Sequence, residues 1–107
     1  MTHDRITELL DIVVREGGSD LHLTPGLRPV IRVSGSLVPL LQQEVLTDAE
    51  TKSILKALLP EARWNTFETV QSVDFSHAHT DGSRFRVNGY VVQGATTIAM
   101  RLIPKQI

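Results

Sequence analysis

The dipeptide Asp81-Gly82 stands between two runs in which apolar and polar residues alternate. Aspartate followed by glycine tolerates the positive φ values of a type I′ turn, so the pattern predicts an antiparallel hairpin. On the first strand Val73 and Phe75 alternate with Ser72, Asp74 and Ser76. On the returning strand, 84 to 92, Phe85, Val87 and Val91 fall on one face, and Arg84, Arg86, Asn88 and Tyr90 on the other. Successive strand side chains point to opposite sides, so one face packs and the other displays its charges.

The remaining periodicities extend this sheet and supply helices to cover it. Ile6, Leu9, Leu10, Val13 and Val14 recur at helical spacing, and Gly17 and Gly18 stop that helix. Leu21 and Leu23 then alternate with Asp20, His22 and Thr24, a short strand with its polar residues on one side, ended by Pro25 and Gly26. Residues 29 to 33 and 37 to 40 read as two strands around a bend at Ser34, Gly35 and Ser36. Thr47 to Glu50 form a capping box, which predicts a second helix burying Ile54, Leu55, Leu58 and Leu59. Pro60 ends it and opens a short third helical turn through Trp64 and Phe67. After Gln93 and Gly94 a last strand runs to about Ile103, with Ile98, Met100 and Leu102 opposite in facing to Ala99 and Arg101. Short turns leave no room for parallel crossovers, so the expected fold is a single α+β domain: five or six mostly antiparallel strands flanked by helices.

With no cysteine in 107 residues, disulfides, thiolate metal sites and cysteine nucleophiles are excluded. No apolar run approaches bilayer-spanning length, so a cytoplasmic chain without direct membrane insertion is expected. The net charge of -1 gives no general attraction to nucleic acid, but it is unevenly spread. All twelve acids lie at or before Asp81. Residues 1 to 81 hold seven bases against those twelve acids, giving -5, whereas Arg84, Arg86, Arg101 and Lys105 make the rest +4. The last quarter therefore suits a local anion, unless its arginines pair with acids elsewhere in the domain.

The phosphate loop G-x-x-x-x-G-K-[ST], the G-x-S-x-G elbow and the H-E-x-x-H helix are all absent, so no catalytic residue is expected in this chain. His77 and His79, one residue apart, could face a shared metal, but no third ligand is evident; both are expected to be solvated decoration beside the hairpin, with no metal site. His22, beside Asp20, reads as part of a structural or interface network rather than a base. The constellation with chemical promise is the arginine face, where Arg84 and Arg86 project together and Arg101 can join them from the next strand. Guanidinium groups bind phosphate or carboxylate at two points and stay charged at any physiological pH.

The segments 19 to 27 (SDLHLTPGL), 29 to 33 (PVIRV), 83 to 88 (SRFRVN) and 101 to 104 (RLIP) occur in the order and at the distances found in secretion-type hexameric ATPases. The chain resembles, over nearly its whole length, the N-terminal domain of the type IV pilus retraction ATPases of the PilT type. The closeness of the first motif to Met1 favours this retraction branch. The resemblance implies a PAS-like fold, followed beyond Ile107 by a RecA-like motor domain that carries the phosphate loop and holds ATP and Mg2+. It implies as partners that motor domain, neighbouring subunits of a homohexamer and the pilus inner-membrane platform protein, in twitching motility at the inner face of the cytoplasmic membrane. Arg84, Arg86 and Arg101 match family arginines that approach the nucleotide phosphates, and Asp20, His22 and Asn88 match interface or structural motif positions. Two turns depart from the family pattern: Ser34-Gly35 stands where Asp-Gly is frequent, and Gly94 where an arginine is frequent. A stand-alone PAS-like sensor or dimerisation domain is the alternative. An RNA-binding platform lacks its aromatic pairs, since only Tyr90 is displayed among the arginines.

Overall fold

The computed structural model describes residues 2–104, so Lys105 of the basic quarter lies outside the described residues. The elements run α1 (Thr2–Arg15), β1 (Gly18–Leu23), β2 (Val30–Val33), β3 (Ser36–Pro39), α2 (Asp48–Leu58), α3 (Glu61–Val70), β4 (Ser72–Ala78), β5 (Arg84–Val92) and β6 (Ala95–Ile103). The six strands form one sheet in the order β3-β2-β1-β6-β5-β4, every neighbouring pair antiparallel. The α+β expectation holds, with three differences of detail. The third helical turn is a full helix of 10 residues, begun at Pro60 and closed by Gln71 in the left-handed conformation. The first strand stops at Leu23, before Thr24. The third difference is the hairpin turn.

Alternation places the apolar residues on the helix side of the sheet. Leu21 pairs with Met100, which also faces Val87, while Leu23 faces Ile98 and Phe85 faces Leu102. Ile6, Leu9, Leu10 and Val13 of α1 and Ile54 and Leu55 of α2 are buried against this layer. The second helix begins as its capping box requires: Thr47 Oγ1 accepts from the Glu50 N–H, and the Glu50 side chain reaches back to the Thr47 N–H. Gly89 lies on the packed face, where a β-carbon would come within 2.8 and 2.9 Å of the two Leu55 methyl carbons. The absence of a side chain there lets α2 approach β5.

The Asp81-Gly82 hairpin exists, but its turn is not type I′. Gly82 alone has positive φ, +90°, and the strands are joined by residues 79 to 83. The Gly82 N–H donates to the His79 carbonyl, the His79 N–H to the Ser83 carbonyl, and Asp81 Oδ1 accepts from the Ser83 N–H. A two-residue turn would pair Thr80 with Ser83 and set Asp74 opposite Gly89, mixing the two faces. The longer loop sets Asp74 opposite Asn88, so both faces stay coherent. Turns with two positive φ values occur instead at Ser34-Gly35 (50° and 81°) and Gln93-Gly94 (50° and 80°), as type I′ geometry requires.

Candidate functional site

The face of the sheet away from the helices carries the charged side chains in two rows set by strand register. Across β2, β1, β6, β5 and β4 one row reads Arg32, Asp20, Arg101, Arg86 and Ser76. The next reads Val30, His22, Ala99, Asn88 and Asp74. An open groove lies between them, lined by Asp20, His22, Asp74, Arg86, Asn88 and Arg101 among others. Five of the six residues singled out from the sequence, Arg86, Arg101, Asp20, His22 and Asn88, thus meet at one place. Arg84 shares the face one step along β5, opposite Ile103.

The arginines differ in what holds them. Arg86 donates at two points to Asp74, Nε to Oδ1 at 3.2 Å and Nη2 to Oδ2 at 2.6 Å. These bonds hold the Asp74 carboxyl below the usual aspartate range and raise Arg86 above the usual arginine value. Arg101 Nε donates to Asp20 Oδ2 at 3.2 Å. Arg32 Nε stands 3.9 Å from Asp20 Oδ1 and donates from Nη1 to the Gly35 carbonyl at 3.0 Å. Arg84 has no carboxylate partner among the described residues.

Asp20 was expected on a displayed polar face, yet it is only 7% exposed. It lies beneath the long arginine side chains. Burial pushes its carboxyl up, but the Ser19 hydroxyl and the Arg101 guanidinium outweigh this and hold it below the usual aspartate range. Beside it, His22 Nε2 is buried without a hydrogen-bond partner among the described residues.

His79 is not solvated decoration: it is 4% exposed, its Nε2 lies 2.6 Å from Asp11 Oδ1 on α1, and its ring meets Phe85 edge-on at 6.2 Å. His79 continues the side of Val73, Phe75 and His77, the side that the helices cover, and its N–H still pairs with the Ser83 carbonyl across the hairpin. His77 is half-buried, and burial followed by the nearby His79 pushes its pKa down. Among the described residues no group of three His, Asp or Glu side chains is placed to hold a metal ion. None of the described helices is long and apolar enough to cross a membrane.

Asp74 and Arg32 belong to this site and were not singled out from the sequence. Their signal was present: each sits at a polar position of an alternating strand, but only cross-strand register gives either a partner. Chemically, the face offers Arg84, which has no carboxylate partner among the described residues, to an anion directly, and Arg86 and Arg101 by exchange of a carboxylate, while Arg32 is held by the Gly35 carbonyl.

No known family profile matches the chain. It is 32% identical over 102 residues to the type IV pilus retraction ATPase PilT of Pseudomonas aeruginosa, covering 95% of this chain and 29% of that protein. It is 26% identical over 100 residues to the type IV pilus ATPase PilU of the same organism, covering 94% of the chain and 26% of that protein. The chain thus spans under a third of the length of these relatives. Among solved structures it is similar to the pilus retraction motor PilT with bound ADP, at a TM-score of 0.88 and 27% identity over 95% of this chain and 30% of that one. The Legionella pneumophila ATPase DotB shares the fold, with a TM-score of 0.82 at 20% identity over 99% of this chain and 30% of that one.

Proposed function

Starting from a chain that carries the PilT-like N-terminal domain of a secretion ATPase, we propose that it serves as the N-terminal, PAS-like domain of a hexameric motor powering type IV pilus retraction. The observation that carries this reading is joint agreement of sequence and fold with PilT over 95% of the chain. In this role the domain packs against its own RecA-like motor domain and neighbouring subunits, and the assembly works in the cytoplasm at the inner-membrane platform protein. ATP and Mg2+ belong to the motor domain. The residues described fit only the outer edge of such a site, because they offer guanidinium groups but no phosphate loop and no metal-binding cluster.

Arg84, Arg86 and Arg101 are the groups to approach the phosphates. Being set on two adjacent strands of a rigid sheet, they need little reorganisation to meet an anion. Arg84 is free to do so at once, and Arg86 and Arg101 exchange Asp74 and Asp20 for it. The test compares Arg84→Ala, Arg86→Ala and Arg101→Ala in the hexameric motor by hexamer fraction, nucleotide affinity and hydrolysis rate. At least one variant should assemble yet lose turnover. Normal turnover in all three overturns the phosphate reading, and lost assembly with normal turnover per remaining hexamer assigns the arginines to subunit packing. The 107-residue chain alone should not hydrolyse ATP, and activity that survives stringent purification contradicts the division of labour proposed.

A further inference from the structure

Asp74 sits on β4, the edge strand of the sheet, paired with Asn88 and one row away from Arg86. It reaches Arg86 diagonally and occupies the Nε and Nη2 edge of that guanidinium, at 3.2 and 2.6 Å. A guanidinium receives phosphate oxygens on the same kind of two-point edge. Asp74 thus holds one of the places on Arg86 where a phosphate would sit, and its charge repels an anion from the rest of the group.

The two carboxylates that flank the arginines are not equally easy to displace. The Asp20 side chain is 9% exposed, so parting it from Arg101 takes a partner from a buried charge. The Asp74 and Arg86 side chains are 50% and 68% exposed, and exposed pairs of this kind hold together weakly. Asp74 also has a second cation beside it. Arg63 of α3 donates from Nη2 to the Asp74 carbonyl at 3.3 Å. The bond from Arg86 is the main cause that holds the Asp74 carboxyl below the usual aspartate range, and the Arg63 charge adds to it.

We propose that Asp74 is a positioning residue for the anion site: it holds Arg86 until phosphate oxygens arrive, then gives way to them and turns to Arg63, before Asp20 leaves Arg101. The inference rests on the reading of Arg86 as a phosphate-contacting group and adds the carboxylate that sets how tightly the phosphate is held. Arg84, opposite Ile103 and without a carboxylate partner among the described residues, makes the first contact. Arg86, two residues along the same face of β5, makes the second. Once released, Asp74 stands in solvent beside Arg63, so the exchange strands no buried charge.

The test uses the 107-residue protein and inorganic tripolyphosphate, followed by NMR at the arginine Nε–H groups and the aspartate carboxyls. Asp74→Asn should tighten binding by about two- to fivefold, the range that an exposed ion pair spans. Glu16→Gln, which removes an equal charge just past α1, should change it little. Arg63→Gln should weaken binding, and should do so less in the Asp74→Asn background, because Arg63 acts through Asp74. Saturating tripolyphosphate should raise the titration midpoint of Asp74 and move that of Asp20 less. The proposal is overturned by absence of binding, by a Glu16→Gln effect equal to that of Asp74→Asn, by additive effects of Arg63→Gln and Asp74→Asn, or by binding that leaves the Asp74 midpoint in place. The phosphate reading is judged separately: normal turnover of the Arg86→Ala motor removes Arg86 from it, whatever Asp74 does in the titration.

Discussion

Arg86 and Arg101 are directly opposed across the β5–β6 ladder. Two like charges in that position repel, yet each has a carboxylate on its outer side: Asp74 for Arg86 and Asp20 for Arg101. Asp74 reaches Arg86 diagonally from the neighbouring row, so the four side chains Asp74, Arg86, Arg101 and Asp20 are together neutral. Two of the four basic residues of the last quarter of the chain, Arg86 and Arg101, are thereby met by acids from β4 and β1.

The two pairs should respond differently to loss of their arginine. Arg86 and Asp74 are both solvated, so Arg86→Ala should leave the thermal midpoint nearly unchanged. Arg101→Ala takes the guanidinium hydrogen bond from the buried Asp20 carboxylate, leaving it Ser19 and the neighbouring Arg32 and His22, and should lower the midpoint measurably. Equal shifts in calorimetry would contradict this ordering.

Asp20 should also mark the acid limb of stability. Its folded pKa lies below the ordinary value, so the unfolded chain binds the proton more readily. The stabilisation is complete above the usual aspartate range and is lost as pH falls through the lower folded value. NMR titration of the Asp20 carboxyl should place its midpoint below that of a free aspartate, and Arg101→Ala should move it upward. A midpoint unmoved by that substitution would remove Arg101 as a cause.

His77 gives the opposite chemistry with the same sign. Burial and His79 hold its folded pKa below the ordinary histidine value, so the unfolded state takes up the proton first as pH falls. Stability should decline below the ordinary histidine range until the lower folded pKa is reached. His77→Gln should flatten that part of the curve in urea unfolding measured across pH. An unchanged slope assigns the decline to another group.

Gly89→Ala should destabilise the domain by about 1–3 kcal/mol, because the new methyl collides with a fully buried Leu55 that has little room to move. In the Leu55→Ala background the same change should cost less. The coupling is read from a double-mutant cycle, and additive effects would mean that α2 shifts bodily instead.

Much of this architecture was legible before any coordinates. Glu50 three residues after Thr47 announced the start of α2, and the run from Arg84 to Tyr90 announced a strand with one apolar and one charged face, because both signals are local. Alternation also set Arg84 and Arg86 on one face of β5 with Arg101 on the adjacent strand, while the addition of Asp20 and His22 to that surface needed the β1–β6 pairing. Local signals failed at His79, whose place beside the Asp81-Gly82 hairpin suggested solvent and which lies instead on the packed side with Val73 and Phe75, against Asp11.

What sequence alone determined about this protein is the facing of each side chain, since periods of 2 and 3.6 residues follow from backbone geometry. Partners were decided by tertiary structure. Asp20 meets Arg101 only because β1 closes against β6, a pairing across 81 positions of chain. Asp74 meets Arg86 only because the loop after β4 holds five residues rather than two. A one-residue slip preserves local alternation along each strand while changing every cross-strand neighbour, so only the packed sheet can choose between registers.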